Sequence, residues 1–253
     1  MATLTEPTSP GRKIGIVCGL QLEADWLDAA WSAMAGHVEL VVAGMGPARS
    51  AEAATRLVAT GIHGLVSWGS AAGLDPTLEP GTVILPERIL PDAGPPLEAH
   101  RPWLSAIMEA LVPTVPHRSG DLAETPKVLA DPAAKIELGR RTGAVAADME
   151  SAAVARVAIE AGVPWIAVRA IADPAGQALP AAVLDAVGED GVIDPAAVIR
   201  SAATSLSGIR SLLRLRHQHM AAARSMRRLA RRTGPLLTAP TGSRRSISVP
   251  EPR

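Results

Sequence analysis

Residues 144–176 read AVAADMESAAVARVAIEAGVPWIAVRAIADPAG, and this stretch decides the fold class that the sequence predicts. Its pattern is the start of a strand, an alanine-rich helix, a turn and a second, almost wholly apolar strand. Glu150 falls at the head of the helix, and Asp173 falls at the carboxyl end of the second strand. In α/β proteins, ligands bind at the carboxyl ends of strands. The stretch therefore predicts a ligand site with two carboxylates.

The chain before this stretch alternates between short apolar runs and segments with apolar residues at helical spacing. Several runs end in small-residue loops, notably 44–47 and 69–73. This alternation is typical of a doubly wound, mainly parallel α/β sheet. The predicted elements are strands at 12–18, 38–43, 63–68 and 82–90, and helices at 22–34 and 48–60.

The later part of the chain is predicted as loops and helices around the opening stretch. Residues 91–99 form a proline-rich loop, and a helix covers 129–142, entered through Asp131 as N-cap and Pro132. The other predicted elements are a helix at 101–111, a loop or short helix at 177–194, and a helical region from 194 to about 232 that Gly208 interrupts. The predicted division is a disordered leader at 1–11, an α/β domain at 12–208, a basic amphipathic helix at 209–232 and a disordered tail at 233–253.

Composition limits which side chains could stack on a ligand, and it indicates the cellular compartment. Hydrophobic residues make up 47% of the chain, with five Trp and no Phe or Tyr, so only Trp or His rings are available to stack on a ligand. The single cysteine, Cys18, excludes a disulfide within the chain and is expected to be a buried thiol in a strand. Neither a long apolar run nor a signal peptide is present, so a cytoplasmic protein is expected.

Charge divides the chain into two parts. Residues 1–194 carry 13 basic and 24 acidic side chains, whereas residues 195–253 carry 12 Arg and one acid. The segment 209–232, IRSLLRLRHQHMAAARSMRRLARR, holds eight of those Arg and a partial apolar stripe. Three alternatives stay open: a helix packed on the acidic body, a helix on an anionic membrane surface, or nucleic-acid binding. The last is disfavoured because the aromatic partners it needs are absent.

Each candidate site residue also has an ordinary structural explanation when it is taken alone. Glu150 would suit the positive end of a helix dipole, and Glu23 is an unremarkable helix residue. Gly46 and Ser70 lie in glycine loops that do not match a dinucleotide-binding fingerprint. Asp173 could simply cap a turn. The functional interpretation rests on the convergence of these groups on one edge of one sheet.

Five segments of the chain together resemble the nucleoside phosphorylase and nucleosidase superfamily, which includes the methylthioadenosine/adenosylhomocysteine nucleosidases. The resemblance implies a single-domain, three-layer α/β/α fold with a central mixed, mostly parallel sheet. A basic C-terminal helical extension would follow it. The segments are KIGIVCGLQLEAD, AGMGPARSAEAATRL, VSWGSAAGLDPTLEPGTVILPE, AVAADMESAAVARVA and AVRAIADPAG.

Within that superfamily, the chain is most similar to the hopanoid-associated nucleoside phosphorylases. The similarity lies in MESAAVARVAIEAGVPWIAVRAIADPA, the following LP and DGVIDPAAV, and the Arg-rich C-terminal helix. It implies release of adenine from adenosylhopane in hopanoid side-chain synthesis, giving ribosylhopane or phosphoribosylhopane. A methylthioadenosine/adenosylhomocysteine-type nucleosidase is the alternative within the superfamily. A non-catalytic nucleoside- or lipid-binding module is the alternative of another class.

The resemblance also implies a role for each matching residue. Asp173 matches the acid that protonates the purine at N7, and Glu23 matches the carboxylate that activates water. Glu150 matches the group that binds the ribose hydroxyls, and Met149 matches the methionine beneath the sugar. Ser70, Ala71 and Ala72 match the small segment near the sugar, and Gly46 belongs to the substrate-binding set. Protonating the base improves a poor leaving group, and an ionised Glu faces the positive charge that grows on the sugar.

Two departures from the family pattern leave the nucleophile open between water and phosphate. Ala123 stands where nucleosidases place a Phe near the adenine, with Trp68 and Trp165 as possible substitutes or as core residues. Residues 66–68, VSW, replace the Arg that phosphorylases commonly place there. Arg49 is then the phosphate candidate, with a solvent-exposed helix residue as its alternative. No metal or cofactor is expected, inorganic phosphate is a possible co-substrate, and a homo-oligomer is expected.

Overall fold

The computed structural model describes residues 13–30, 34–112, 114–180, 200 and 206–237. The strands are β1 Ile14–Cys18, β2 Val38–Val42, β3 Leu65–Gly73, β4 Val83–Leu90, β5 Leu97–Glu98, β6 His117–Glu124, β7 Ala146–Asp148 and β8 Trp165–Asp173. The helices are α1 Gln21–Ala24, α2 Pro47–Ala59, α3 Arg101–Leu111, α4 Pro132–Thr142, α5 Ser151–Glu160 and α6 Leu206–Leu237, with a 3₁₀ turn at Asp28–Ala30.

The eight strands form one mixed sheet in which parallel pairs predominate. β1 pairs in parallel with β2 and β3, β3 with β8, and β6 with β4 and β7. The antiparallel pairs are β3 with β7, β4 with β5, and β4 with β8. Because β3, β8, β4, β6 and β7 each pair with the next and β7 returns to β3, this part of the sheet closes on itself. The predicted α/β class with a central mixed, mostly parallel sheet is confirmed.

Helices cover this sheet in two packed groups. α2 packs against α5, and α6 packs against α3, β8 and the 3₁₀ turn. The core between them is aliphatic apart from a few tryptophans, of which Trp26, Trp68 and Trp103 are almost fully buried. Cys18 is a buried free thiol, as predicted, and burial raises the pKa of its thiol.

The small-residue segment after the third predicted strand is a strand and not a loop. β3 runs to Gly73, with residues 69–72 paired with β8 on one side and Ala72 and Gly73 paired with β7 on the other. Small side chains allow this segment to lie between two neighbours, and a register shift between Ala71 and Ala72 accommodates the change of partner. The residues expected on a small-residue loop therefore lie on a strand with neighbours on both sides.

The first predicted helix, 22–34, is wrong in its extent. A single turn, α1, is followed by the 3₁₀ turn, and residues 31–33 lie outside the described part of the chain. Glu23, Trp26 and Leu27 share one face of this segment, at i, i+3 and i+4, and all three are buried. The Trp26 ring lies 5.2 Å from the ring of His219 in α6.

The C-terminal helix exists, but it has no break at Gly208 and continues beyond residue 232. Its last turns are tied to the body, because the Trp103 indole N–H donates to the Leu236 carbonyl at 2.8 Å and Leu237 is fully buried. The boundary predicted at 208/209 thus falls inside α6. The leader at 1–11, the segment 181–199 and most of the predicted tail lie outside the described residues.

Two short differences from the predicted elements concern β5 and β6, and one agreement concerns the start of α4. The 91–99 loop contains the short strand β5, and β6 was not among the predicted strands. The cap of α4 is confirmed, since the Asp131 carboxylate accepts from the Ala133 N–H at 3.0 Å and Pro132 opens the helix.

Candidate active site

A cavity of about 180 Å³ opens at the carboxyl ends of β1, β2, β7 and β8, beside the end of β3. This is the sheet edge at which the sequence predicts a site. The predicted residues that line it are Glu23, Ser70, Ala71, Ala72, Met149, Glu150 and Asp173. The other lining residues are Gly19, Leu20, Met45, Thr125, Lys127, Val128, Leu129, Ala147, Asp148, Ala172 and Leu179.

Glu23 is held rigidly at one side of this cavity. Its Oε1 accepts two hydrogen bonds from Ser70, from the main-chain N–H at 2.8 Å and from the hydroxyl at 2.6 Å. Its Oε2 accepts from the Leu20 N–H at 3.2 Å. Only 4% of the residue is exposed, so the carboxylate is a fixed acceptor next to the ligand space.

Gly69 on β3 is required by the close approach of Glu23. A Cβ at this position would lie 2.8 Å from Glu23 Oε2, and it would also collide with the guanidinium of Arg169. Because both neighbours are buried, neither can move away at low cost. The small residues of β3 thus bring two charged groups to the backbone of the strand.

Glu150 lies on the neighbouring wall, at the N-cap position of α5. Its Oε1 accepts from the Gly46 N–H at 2.8 Å, and its Oε2 accepts from the Met149 N–H at 3.3 Å. It does not cap the helix, because the Asp148 carboxylate accepts from the Ser151 N–H at 3.3 Å instead. Burial, with a smaller contribution from the charge of Asp148, raises the pKa of Glu150 to about 7. Glu150 is thus a titratable acceptor facing the cavity.

A buried ion pair lies behind Glu150. Arg169 on β8 and Asp148 at the end of β7 approach to 2.6 Å, and both side chains are almost inaccessible to solvent. Arg169 also donates to the Ser67 hydroxyl at 2.7 Å. The sequence-based candidates omit this pair. In the sequence, an arginine inside the apolar run PWIAVRAIA indicates a buried charge. A buried charge requires a partner, so this residue could have been recognised as half of an ion pair.

Asp173 ends β8 on the opposite side of the cavity. Its Oδ1 accepts from the ammonium of Lys135 in α4 at 2.6 Å, and its side chain is 16% exposed. Burial raises the pKa of Asp173, and the hydrogen bond and charge of Lys135 act in the opposite direction. Lys135 is absent from the sequence-based candidates because a lone lysine in DPAAKIELGRR looks like a solvated helix residue.

The wall beside Asp173 is aliphatic. The segment 127–130 lies against the chain that follows β8, and the Leu179 N–H donates to the Ala130 carbonyl at 3.0 Å. Among the described residues that line the cavity, none is aromatic. Trp68 and Trp165 belong to the core, as does Ala123 at the expected Phe position. Val128 and Leu129 therefore offer the apolar surface on which a flat base could rest.

The two remaining candidates differ in their relation to the cavity. Gly46 contributes its N–H to Glu150, so it shapes the site without lining it. Its φ of 102° lies in the region that favours glycine. Arg49 lies on α2 with its guanidinium against Gly44, and it is not among the residues that line the cavity. Lys127 is the cationic side chain that lines it in the described part of the chain.

Solved structures similar to this fold include several nucleosidases. The methylthioadenosine/adenosylhomocysteine nucleosidase of Colwellia psychrerythraea in complex with adenine matches with a TM-score of 0.65 and 16% identity, covering 90% of this chain and 96% of that one. The corresponding enzyme of Helicobacter pylori matches with a TM-score of 0.62 and 15% identity, covering 90% and 97%. Futalosine hydrolase of Helicobacter pylori matches with a TM-score of 0.62 and 15% identity, covering 89% and 95%.

At these identities the structural matches establish the fold. No curated protein sequence matches the chain significantly. The sequence profile of the phosphorylase superfamily matches residues 31–209, which is more than half of the chain and includes β2 to β8. The chain therefore belongs to the phosphorylase superfamily.

Proposed function

We propose that the protein hydrolyses the N-glycosidic bond of an adenine nucleoside and releases adenine. The observation that carries this proposal is the presence of three carboxyl groups, of Glu23, Glu150 and Asp173, on one small cavity. Each is held by a different partner: Glu23 by Ser70, Glu150 by the Gly46 N–H, and Asp173 by Lys135. Several structurally similar proteins are nucleosidases, one of them in complex with adenine, which supports the same chemistry here.

The proposed reaction uses one carboxyl group for each requirement of the bond cleavage. Asp173 in its protonated form donates a proton to N7 as the C1′–N9 bond breaks and its electron pair passes to the purine. The sugar centre becomes positively charged, and ionised Glu150 stabilises it while accepting hydrogen bonds from the ribose hydroxyls. Glu23 accepts a proton from the attacking water, whose oxygen forms the new bond to C1′. The products are adenine and a free ribosyl compound, as in other glycoside cleavage by paired carboxyl groups.

Water is the nucleophile that the charges around Glu23 favour. Glu23 is ordered by three donors and carries a negative charge, which would repel a phosphate anion. Arg49, the predicted phosphate ligand, lies away from the cavity lining. Phosphate as a co-substrate is the alternative, and the identity of the sugar product decides between them.

For the substrate we propose a nucleoside with a large apolar 5′ substituent, adenosylhopane being the specific candidate. The segment after β8 lies against the N-terminal half of α6, where Gln218 donates to Gln177. On the same half of α6, Ile209 and Leu213 expose 43% and 59% of their surface. An apolar substituent leaving the cavity on this side would find hydrophobic contacts there. A methylthioadenosine/adenosylhomocysteine-type substrate is the alternative with a short substituent.

We also propose that the outer face of α6 binds anionic lipid. One face of the helix packs on the body, which realises the first of the three alternatives for this segment, and all eight Arg of 209–232 remain exposed. Basic side chains with interspersed apolar ones are attracted to anionic membrane surfaces. Within the described residues, no helix combines the length and hydropathy that crossing a bilayer requires. Cytoplasmic location and homo-oligomer formation stay predictions.

One incubation series tests the function. The full chain is mixed with adenosylhopane, methylthioadenosine or adenosylhomocysteine, each with and without phosphate, and free adenine and the sugar product are quantified. Adenine release with an unphosphorylated sugar from adenosylhopane supports the whole proposal. A phosphorylated sugar would replace hydrolysis by phosphorolysis, and absence of adenine with every substrate would favour the non-catalytic nucleoside- or lipid-binding module.

A further inference from the structure

Lys135 is a charged residue in an unusual position for its type. It lies on α4, its side chain is 0% exposed, and its Nζ has three oxygen neighbours. These are Asp173 Oδ1 at 2.6 Å, the Gln177 carbonyl at 2.7 Å and the Pro174 carbonyl at 3.3 Å. Three acceptors match the three protons of an ammonium group. Such complete pairing is what permits a charged amine to be buried.

The three contacts fix both the acid and the chain that follows it. Oδ1 of Asp173 is bound by Lys135 and Asp173 lines the cavity, so we assign contact with a ligand to Oδ2. The carbonyls of Pro174 and Gln177 belong to the turn after β8, so the same ammonium group ties this turn to α4. Lys135 thus fixes the orientation of Asp173 and of the turn after β8. Its effect on a ligand would be transmitted by Asp173.

We infer that Lys135 is the positioning residue of the acid Asp173: it presents Oδ2 to the purine and stabilises the carboxylate left after proton transfer. This inference rests on the proposed function, because it assigns Asp173 the donation of a proton. In that step Asp173 loses its Oδ2 proton to N7, the C1′–N9 electron pair passes to the purine, and Lys135 keeps its three protons. Solvent returns the proton to Asp173 after adenine leaves.

The charged groups around Asp173 affect its pKa, so this inference predicts a change in the pH dependence of the reaction. Lys135 faces it from α4, Arg214 of α6 lines a small cavity with it, and Lys127 shares the main cavity. The carboxyl groups of Glu23, Asp148 and Glu150 lie on the other walls. Burial raises the pKa of Asp173 and Lys135 opposes that effect, so removal of the ammonium should raise this pKa further. Asp173 would then keep its proton to higher pH and be a weaker acid.

The test compares Lys135→Met, which removes the charge, with Lys135→Arg, which keeps it. In Lys135→Met we expect kcat to fall roughly 10- to 100-fold. The basic limb of its kcat profile should move up by about 1–3 pH units. KM should change far less than kcat. In Lys135→Arg the limb should stay where the unmodified protein has it. Lys13→Met, which removes an exposed lysine paired with Glu39, is the matched control. It should leave kcat and the position of the basic limb unchanged.

A second measurement separates this inference from the proposed function. The Asp173 carboxyl carbon is titrated by NMR in ¹³C-aspartate-labelled protein, with Asp173→Asn to assign the signal. An upward shift of its pKa in Lys135→Met supports the inference even if no nucleoside is cleaved. An unchanged pKa, or a fall in kcat without a moving limb, would reduce Lys135 to a structural role and overturn the inference. If Lys135→Met does not fold, Lys135→Gln, which keeps donors without charge, takes its place.

Discussion

Ser70 donates both its main-chain N–H and its hydroxyl to the same oxygen of Glu23, at 2.8 and 2.6 Å. The central strand of the sheet therefore fixes one Glu23 oxygen and leaves the carboxylate with a single orientation. A carboxylate that cannot rotate suits the deprotonation of one ordered water, because the acceptor need not reorganise during the reaction. Ser70 is thus a supporting residue as well as a lining one.

Replacing Glu23 by Gln should lower kcat about 100-fold, because the amide keeps the shape of the side chain but cannot accept the proton of the attacking water. Adenine release under saturating substrate measures the effect. Ser70→Ala removes one of the two donors and should cost less, about 10-fold. Activity in Glu23→Gln equal to that of the unmodified protein would exclude Glu23 as the base.

Asp173→Asn should reduce adenine release by about 10²–10⁴-fold, since an amide cannot supply the proton that the leaving purine needs. The nucleoside should still bind, with a dissociation constant close to that of the unmodified protein by calorimetry. The control is Asp121→Asn, which changes a carboxylate paired with Arg88 outside the cavity lining. Undiminished adenine release from Asp173→Asn would exclude the proposed proton donor.

Glu150→Gln should lower the catalytic rate and raise the stability of the folded protein above neutral pH. The proposed mechanism requires the ionised form of Glu150, so kcat/KM of the unmodified protein should rise through a pKa of about 7. In the variant this rise should be absent, and the rate should be about 10²–10³-fold lower. The folded pKa lies above the ordinary value of 4.5, so ionisation of Glu150 opposes folding. The unmodified protein thus loses stability between about pH 4.5 and pH 7, and the variant should not.

At pH 8 the Glu150→Gln protein should therefore be more stable by at most about 3 kcal/mol, and at pH 4 the two proteins should differ little. Urea denaturation at both pH values measures this difference. Equal stability at pH 8 would mean that the Glu150 carboxylate is not destabilised by its buried position.

Charge reversal on α6 should weaken lipid binding without disturbing the fold. Arg224, Arg227 and Arg228 are exposed, and their replacement by Glu should reduce co-sedimentation with phosphatidylserine-containing liposomes by about tenfold or more. The control replaces Arg56, Arg101 and Arg140 by Glu, which changes the net charge equally on other exposed surfaces. Equal losses in both variants would indicate a general charge effect and no specific lipid face.

Truncation after Gly208 is not a clean test of lipid binding. It would remove Ala222, Met226 and Leu229, which are fully buried in the core. The truncated protein is therefore expected to lose its folded state, as judged by circular dichroism. Charge reversal avoids this problem because the exposed arginines are not part of the core.

The sequence predicts the carboxyl ends of β1, β4 and β8 because the chemistry of these ends is local. Apolar runs that stop at Asp173 or at Cys18 identify buried strands, and the carboxyl ends of parallel strands meet at one edge. The placement of Glu23, Glu150 and Asp173 around one cavity follows from that rule together with the family resemblance. Their individual roles stay predictions until variants are measured.

The contacts between distant segments could not be predicted from local patterns. Lys135 and Asp173 are 38 residues apart, and the pairing of an ordinary helix lysine with a strand-end acid depends on the tertiary fold. The segment 69–73 has the composition of a loop and becomes a strand because β8 and β7 lie beside it. The length of α6 is likewise set by tertiary contacts, since Trp103 binds the carbonyl of Leu236.

The hydrogen bond between Trp103 and Leu236 also bears on how the protein is made. α6 closes the core over α3 and β8, so a nascent chain exposes part of that core until residue 237 has left the ribosome. The order of synthesis would then delay assembly of the sheet edge that carries the candidate site, because the turn after β8 is supported by Gln218. Ribosome-bound chains that end before α6 should be sensitive to protease and should bind chaperones, whereas chains with α6 fully emerged should resist digestion.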